Sequence, residues 1–178
     1  MKQFVLFLLS LTMATGSLLG ADAKKTAVPG TDDLSRYTAA KNAPGGQTVL
    51  RDASGRTVGT AARTGTRTTF RDSAGRTTGS ATIEGSRTVF RDASGRMVGT
   101  ATVSGSQTTI YRDAAGRSQG SSIESGGRTT FRDAADRTTG SAQDTGSNTT
   151  FRDASGRMIG TSSTTGAKQP VAAKQKGR

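Results

Sequence analysis

A unit of about 20 residues occurs six times between residues 48 and 167, and this periodicity constrains the fold more than any other feature of the chain. Its core is Arg-Asp-Ala-Ser-Gly-Arg at Arg91–Arg96, which also stands at Arg51–Arg56 and Arg152–Arg157 and recurs with small changes in the other three units. Such a short fixed period indicates a repeat architecture in which each unit packs on its neighbours. The repeated aspartates are 20 residues apart except for one step of 21: Asp52, Asp72, Asp92, Asp113, Asp133 and Asp153.

Each unit has the pattern of a β-hairpin. Thr88–Arg91 is β-branched and aromatic, as strands prefer. Asp92–Gly95 fits a type I turn, with Asp first and Gly fourth. The second strand follows, and a further glycine turn leads to the next unit. Strict alternation along this second strand places Met97, Gly99, Ala101 and Val103 on one face, opposite Arg96, Val98, Thr100 and Thr102.

These patterns predict an all-β fold, in which six tandem β-hairpin repeats of about 20 residues form an antiparallel meander of about twelve strands. A curved sheet, a stacked-hairpin rod and a closed barrel all fit. Small residues such as Gly99 and Ala101 favour a tightly coiled sheet with the aromatics inside. The step of 21 residues arises at Ile110-Tyr111, where other units have one residue, and predicts a β-bulge.

The unit Phe-Arg-Asp-Ala-Ser-Gly-Arg resembles the aromatic-Asp-x-x-Gly-Arg core of YD (RHS-type) repeats, and the resemblance covers residues 48–167. In this chain the aromatic stands two residues before Asp, whereas in YD repeats it stands immediately before. The resemblance implies consecutive β-hairpins and an extracellular role. It implies no particular activity.

The chain termini have a different composition from the repeats. Residues 1–23 combine a basic start, a short apolar run and Ala21-Asp22-Ala23, which predicts a signal peptide cleaved near Ala23. We therefore expect a secreted or periplasmic product with no membrane span. Residues 24–47 are predicted to form a flexible lead into the repeats, and residues 168–178 a basic disordered tail.

The composition excludes several kinds of chemistry. The chain has no cysteine and no histidine, which rules out disulfides, thiol nucleophiles, Ser-His-Asp triads and ordinary zinc sites. Every lysine lies outside the repeats, so a Ser–Lys dyad is unavailable within them. The hydrophobic fraction of 31% is too low for a thick core. We predict no metal and no cofactor.

The repeats carry an excess of arginine, with sixteen arginines against ten acidic residues. We expect Asp to cap the turn and the charges to pair across neighbouring strands. The surplus arginines would form a cationic column suited to sulfate, phosphate or carboxylate groups. The candidate ligand-binding residues are Arg51, Arg71, Arg91, Arg112, Arg132 and Arg152 before the turns, and Arg56, Arg76, Arg96, Arg117, Arg137 and Arg157 after them.

These arginines predict a monomeric protein that binds acidic glycans, such as those of mucin-type glycoprotein, or polyanions of the bacterial envelope. Nucleic acid is a less favoured partner, because single-strand binding uses exposed aromatics for base stacking. The aromatics of the repeats, such as Phe90, stand at strand positions that we expect to be buried.

A secreted aspartic-type endopeptidase is the alternative hypothesis, because Asp144-Thr145-Gly146-Ser147 matches the Asp-Thr-Gly-Ser string of aspartic proteases. Its candidate catalytic residues are Asp144, Asp136 and Asp133. Such enzymes need two carboxylates about 3 Å apart. Asp136 replaces the turn glycine of the other five repeats, and with Asp133 it could also form a small cation site.

A structural role is the third hypothesis. Threonine-rich strands with a small core could assemble edge to edge into fibres or a matrix. Arginine-rich strands oppose such stacking, because charged residues protect sheet edges.

Overall fold

The computed structural model describes residues 46–165, and the predicted signal peptide, most of the N-terminal lead and the basic tail lie outside the described residues. The described part of the chain consists of strands and tight turns. The strands are β1 Gln47–Asp52, β2 Thr57–Thr64, β3 Arg67–Asp72, β4 Thr77–Glu84, β5 Arg87–Asp92, β6 Met97–Ser104, β7 Thr108–Asp113, β8 Ser118–Ser125, β9 Arg128–Asp133, β10 Thr138–Thr145, β11 Asn148–Asp153 and β12 Met158–Thr165.

The predicted six hairpins and twelve antiparallel strands are confirmed, and they close into a barrel. Each strand pairs with the strands before and after it in the chain, and β1 pairs with β12. Of the three arrangements that the sequence allowed, the closed barrel is therefore the one adopted.

The same turn connects the two strands of every hairpin. In the first hairpin the Gly55 amide donates to the Asp52 carbonyl at 3.0 Å, and the Asp52 amide donates to the Arg56 carbonyl at 2.9 Å. Gly55 has a φ of +82°. This is a type I turn followed by a left-handed residue, the usual three-residue hairpin loop. The predicted type I turn is confirmed.

The register repeats at every junction between hairpins. Gly79 faces Phe70 of its own hairpin and Asp92 of the next one. The closing junction has the same register, because Gly160 faces Phe151 of its own hairpin and Asp52 of β1. The barrel therefore has approximate sixfold symmetry about its axis.

The size of the barrel follows from this register. Phe70 pairs with Gly79, and Gly79 pairs with Asp92, which lies two residues beyond Phe90, the equivalent of Phe70 in the next hairpin. The pairing therefore advances by two residues per hairpin, which gives a stagger of twelve residues around the twelve strands. Equal stagger and strand number correspond to a strand tilt of about 36°. With strands about 4.8 Å apart, the backbone lies about 12 Å from the barrel axis.

The aromatic residues face the interior, as predicted. Phe70, Phe90 and Tyr111 form one buried cluster with the alanines Ala61, Ala81 and Ala101. Phe131 and Phe151 form a second cluster with Ala142. Leu50, which occupies the aromatic position of the first hairpin, packs against the first cluster.

Glycine is required opposite the aromatics for a steric reason. A Cβ on Gly79 would lie 2.5 Å from the carbonyl oxygen of Arg91 in the next hairpin. A Cβ on Gly160 would lie 2.5 Å from the carbonyl oxygen of Arg51, across the junction that closes the barrel. Real Cβ atoms do not approach a backbone oxygen so closely, so any larger residue here would push neighbouring hairpins apart.

Two predictions about local geometry are wrong. The extra residue of the fourth unit does not form a bulge at Ile110-Tyr111, because both residues pair with β6 in unbroken register. It lengthens the preceding turn, where Ser104 pairs with Thr108, whereas Glu84 pairs with Arg87 in the corresponding shorter turn.

The strict alternation predicted along the second strand of each hairpin is also wrong near the turn. Phe90 pairs with Gly99 and Arg91 pairs with Met97, so Val98 is an extra residue in β6 with no paired residue in β5. Val98 packs against the interior cluster and not on the opposite face. The same shift recurs in all six hairpins, because each carries the same turn and left-handed residue.

Candidate functional site

The aspartate of each repeat holds its own turn together. In the third hairpin, Oδ1 of Asp92 accepts hydrogen bonds from the backbone amides of Ser94 and Arg96, both at 2.9 Å. The other five aspartates accept the equivalent pair of amide hydrogen bonds. The predicted capping role of Asp is confirmed, and these carboxylates are fixed by local contacts.

The residue at the third turn position determines what else binds this carboxylate. Where it is serine, its hydroxyl donates to Oδ1, as Ser94 does to Asp92 at 2.7 Å. Where it is alanine, the arginine after the turn donates from Nε to Oδ2, as Arg76 does to Asp72 at 2.9 Å. The serine turns contain Ser54, Ser94 and Ser155, and the alanine turns contain Ala74, Ala115 and Ala135.

These hydrogen bonds set the acidity of the turn aspartates. The Ser94 hydroxyl lowers the pKa of Asp92, and burial of the carboxylate opposes that effect. In Asp72 the backbone amide of Arg76 makes the largest contribution to a lowered pKa. Burial acts to raise the pKa of Asp113, but hydrogen bonds from the Arg117 amide and side chain outweigh it, and the pKa is again lowered.

The arginine before each turn folds over the turn. Nη1 of Arg91 donates to the carbonyl oxygen of Gly95 at 3.0 Å. The equivalent arginines of four other hairpins make the same contact at 2.9 to 3.0 Å: Arg51, Arg71, Arg112 and Arg152. A carbonyl holds the guanidinium in place without neutralising its charge. The charge partners predicted on neighbouring strands are replaced by contacts within each turn.

Closure of the barrel gathers all these turns at one end. The two arginines flanking each turn then form a ring, which we call the arginine crown: Arg51, Arg56, Arg71, Arg76, Arg91, Arg96, Arg112, Arg117, Arg132, Arg137, Arg152 and Arg157. Eleven of its twelve members are exposed, and the twelfth, Arg132, is half-buried. The predicted column of arginines is thus bent into a closed ring.

The two ends of the barrel differ in charge. The crown end has twelve arginines and seven aspartates, which leaves a net charge of +5. The opposite end has four arginines and three acidic residues, for a net charge of +1. The crown end is therefore the strongly cationic end of the described barrel.

The fifth hairpin interrupts the crown. Asp136 occupies the left-handed turn position with a φ of 62°, where each of the other five hairpins has glycine. Its Oδ2 accepts a hydrogen bond from Nη1 of Arg132 at 3.0 Å, and this is a charge pair. Arg132 thus differs from the five equivalent arginines, because a carboxylate takes up part of its charge.

The candidate catalytic aspartates bind different partners, and Asp144 lies far from the other two. Asp133 binds the turn amides and Arg137, and its pKa is lowered chiefly by the hydrogen bond from the Arg137 amide. Asp136 pairs with Arg132. Asp144 lies near the far end of β10, about 20 Å along the strand from Thr138, where β10 begins after the turn that contains Asp136, and it accepts a hydrogen bond from the Thr149 hydroxyl at 2.6 Å.

Residues 46–165 contain no cluster of three or more acidic side chains placed to hold a metal ion. Over the same residues, no helix has the length and apolar character needed to cross a membrane.

The sequence did not reveal two classes of site residue, and the first is the turn glycines whose carbonyls position the arginines. Their backbone oxygens leave no trace in residue type. The role of the serine or alanine at the third turn position was also missed, although the alternation between Ser94 and Ala115 was visible in the repeats.

Comparison with known proteins identifies no relative of this chain. No protein family, curated protein or solved structure matches it. The chemistry of the arginine crown is therefore the basis for a functional argument.

Proposed function

We propose that this protein is a secreted binding protein for acidic glycans, such as sulfated or sialylated mucin-type chains, and that the arginine crown is its binding surface. The observation that carries the proposal is the concentration of twelve arginines at one end of a closed barrel. Guanidinium groups bind sulfate, phosphate and carboxylate through paired hydrogen bonds.

The structure of each turn prepares the arginines for binding. The contact between Arg91 and the Gly95 carbonyl uses one N–H group and leaves the others available to a ligand. Because the side chain is already held in one orientation, less conformational entropy is lost when an anion binds. The same reasoning applies to the four equivalent arginines that contact a turn carbonyl.

The position of the aromatic residues favours glycans over nucleic acid. Phe70, Phe90, Tyr111, Phe131 and Phe151 are all between 3% and 7% exposed. None of the aromatics in the described barrel can therefore stack on a base from outside, and base stacking supplies much of the affinity for single strands.

Barrel closure also bears on the fibre hypothesis. Every strand in the described barrel has two paired neighbours, because β1 pairs with β12. Edge-to-edge assembly requires an unpaired edge strand. The barrel would have to open before its strands could join another copy, which makes glycan binding the better supported role.

Retention of the full chain on an immobilised sulfated glycan tests the proposal. We expect binding at about 0.05 M salt and a large loss by about 0.2 M, because contacts of this kind are screened. The crown variant replaces three arginines by glutamine, and a matched variant replaces three at the opposite end. The two sets are Arg91, Arg96 and Arg112 in the crown, and Arg67, Arg87 and Arg128 outside it.

Both variants lose the same net charge, so only the position of the charge differs. We expect the crown variant to be eluted at distinctly lower salt than the matched variant. Equal elution of the two would show that net charge alone governs retention and would contradict the assignment to the crown. Retention that is insensitive to salt would contradict an arginine-based mechanism.

A further inference from the structure

Equivalent arginines of the crown lie in one plane. The register is identical at all six junctions between hairpins, including the junction that closes the barrel, so equivalent residues lie at the same height along the axis. Equivalent arginines of neighbouring hairpins are separated by two strand spacings across the sheet and by two residues along the strand direction. They therefore lie about 12 Å apart on a ring about 12 Å in radius.

A ring of this size matches a flat ligand better than a linear one. A chain that contacted all six hairpins would have to turn by about 60° between successive contacts about 12 Å apart. A straight chain therefore meets two or three neighbouring hairpins. A planar layer of anions meets all six at once.

The tips of the turns are suited to lying on a surface without entering it. The residues between Asp and Arg in each turn are alanine, serine and glycine, with Asp136 in the fifth hairpin. All of these tip residues are exposed. The tips therefore present no large apolar side chain that could insert between lipids, and contact would rest on charge.

The ends of the described chain lie away from the crown. β1 begins at Gln47 and β12 ends at Thr165, where the two residues are partners at the opposite end of the barrel. Both ends of the described chain therefore lie at the end of the barrel that faces away from anything bound to the crown.

We propose that the arginine crown docks end-on onto an anionic bilayer surface, with all six turns facing the headgroup phosphates. Phosphate oxygens are good partners for the paired N–H groups of arginine. The proposal rests on the same crown as the proposed glycan binding but names a planar partner. A soluble acidic chain is the competing ligand.

The experiment compares two full-chain variants that each replace four crown arginines by glutamine. In the adjacent variant, the arginines are removed from the third and fourth hairpins: Arg91, Arg96, Arg112 and Arg117. In the opposed variant, they are removed from the third and sixth hairpins: Arg91, Arg96, Arg152 and Arg157. Both lose the same charge, and a urea unfolding curve of each verifies that the barrel is intact.

Binding is measured by sedimentation with vesicles of phosphatidylcholine containing phosphatidylglycerol, and with vesicles of phosphatidylcholine alone as the control. We expect binding only to the acidic vesicles. Each arginine near such a surface contributes about fivefold in affinity, so both variants should lose roughly several hundredfold and to the same extent.

A soluble sulfated glycan chain distinguishes the competing ligand. A chain that meets three neighbouring hairpins would tolerate the adjacent variant, which keeps four neighbouring hairpins, and would bind more weakly to the opposed variant, which keeps only pairs. Glycan binding with this difference, and no binding to acidic vesicles, would overturn docking on a bilayer while leaving the proposed function intact. Binding to neither ligand would overturn both.

Discussion

Substitution of Gly160 by alanine tests whether the barrel is closed. Gly160 lies in β12 and faces Asp52 of β1, so it belongs to the junction between the last hairpin and the first. The new Cβ would lie 2.5 Å from the carbonyl oxygen of Arg51. In an open sheet or a rod of stacked hairpins this oxygen would be far away, and the substitution would meet no neighbour.

The size of the effect can be worked out from this contact. A backbone oxygen cannot swing aside as a flexible side chain can, so the two strands must separate. Overpacking of this kind costs about 1–3 kcal/mol. The loss of glycine flexibility in the unfolded chain offsets about 0.4–1 kcal/mol of that cost. We therefore expect the free energy of unfolding to fall by about 1–2 kcal/mol.

Urea unfolding followed by circular dichroism measures this change. With a slope of about 2 kcal/mol per molar urea, the midpoint should fall by about 0.5–1 M. Gly79→Ala provides the matched variant at an internal junction, because its Cβ would lie 2.5 Å from the Arg91 carbonyl oxygen. Gly75→Asn is the control, because a Cβ there meets nothing within 4 Å and asparagine tolerates the left-handed conformation.

The reasoning predicts that Gly160→Ala and Gly79→Ala lose stability equally, while Gly75→Asn stays close to the wild type. A wild-type midpoint for Gly160→Ala beside a lowered midpoint for Gly79→Ala would refute pairing between β12 and β1. Loss in all three variants would show that these glycines are needed for flexibility and not for close approach.

Two further predictions concern the turns. The turn aspartates have folded-state pKa values below their ordinary 3.8, so their stabilisation is complete above that pH and is lost as the pH falls through the lower folded values. The urea concentration at the unfolding midpoint should therefore fall when the pH is lowered below about 4, and it should fall less steeply in Asp92→Asn. A midpoint that stays constant down to acidic pH would contradict this. Asp136→Gly should raise affinity for a sulfated glycan because it releases Arg132 from its charge pair, whereas unchanged affinity on the same column would exclude Arg132 from binding.

The hairpins and their turns could be predicted from the sequence because the interactions that form them are local. The carboxylate of Asp92 binds groups only two and four residues away, and Gly95 takes the left-handed position three residues after it. Six similar copies of such a pattern identify the strands and the turn type with no knowledge of what surrounds them. Arginine positions beside the turns follow from the same pattern.

The register shift that turns Val98 inward could not be predicted from alternation alone. It depends on how the left-handed residue of the turn changes the pairing of the strand that follows. The extra residue of the fourth unit presents the same difficulty. The spacing shows that one residue is added, but only the pairing of Ser104 with Thr108 shows that it lies in the turn.

Closure was decided by tertiary structure, because it joins residues far apart in the chain. The hydroxyls of Thr48 and Thr164 are 2.9 Å apart although 116 positions separate them. No local pattern distinguishes this junction from an exposed edge. The twelve arginines were therefore evident as a column in the sequence, whereas the ring that they form, and the planar cationic end that results, exist because the last hairpin pairs with the first.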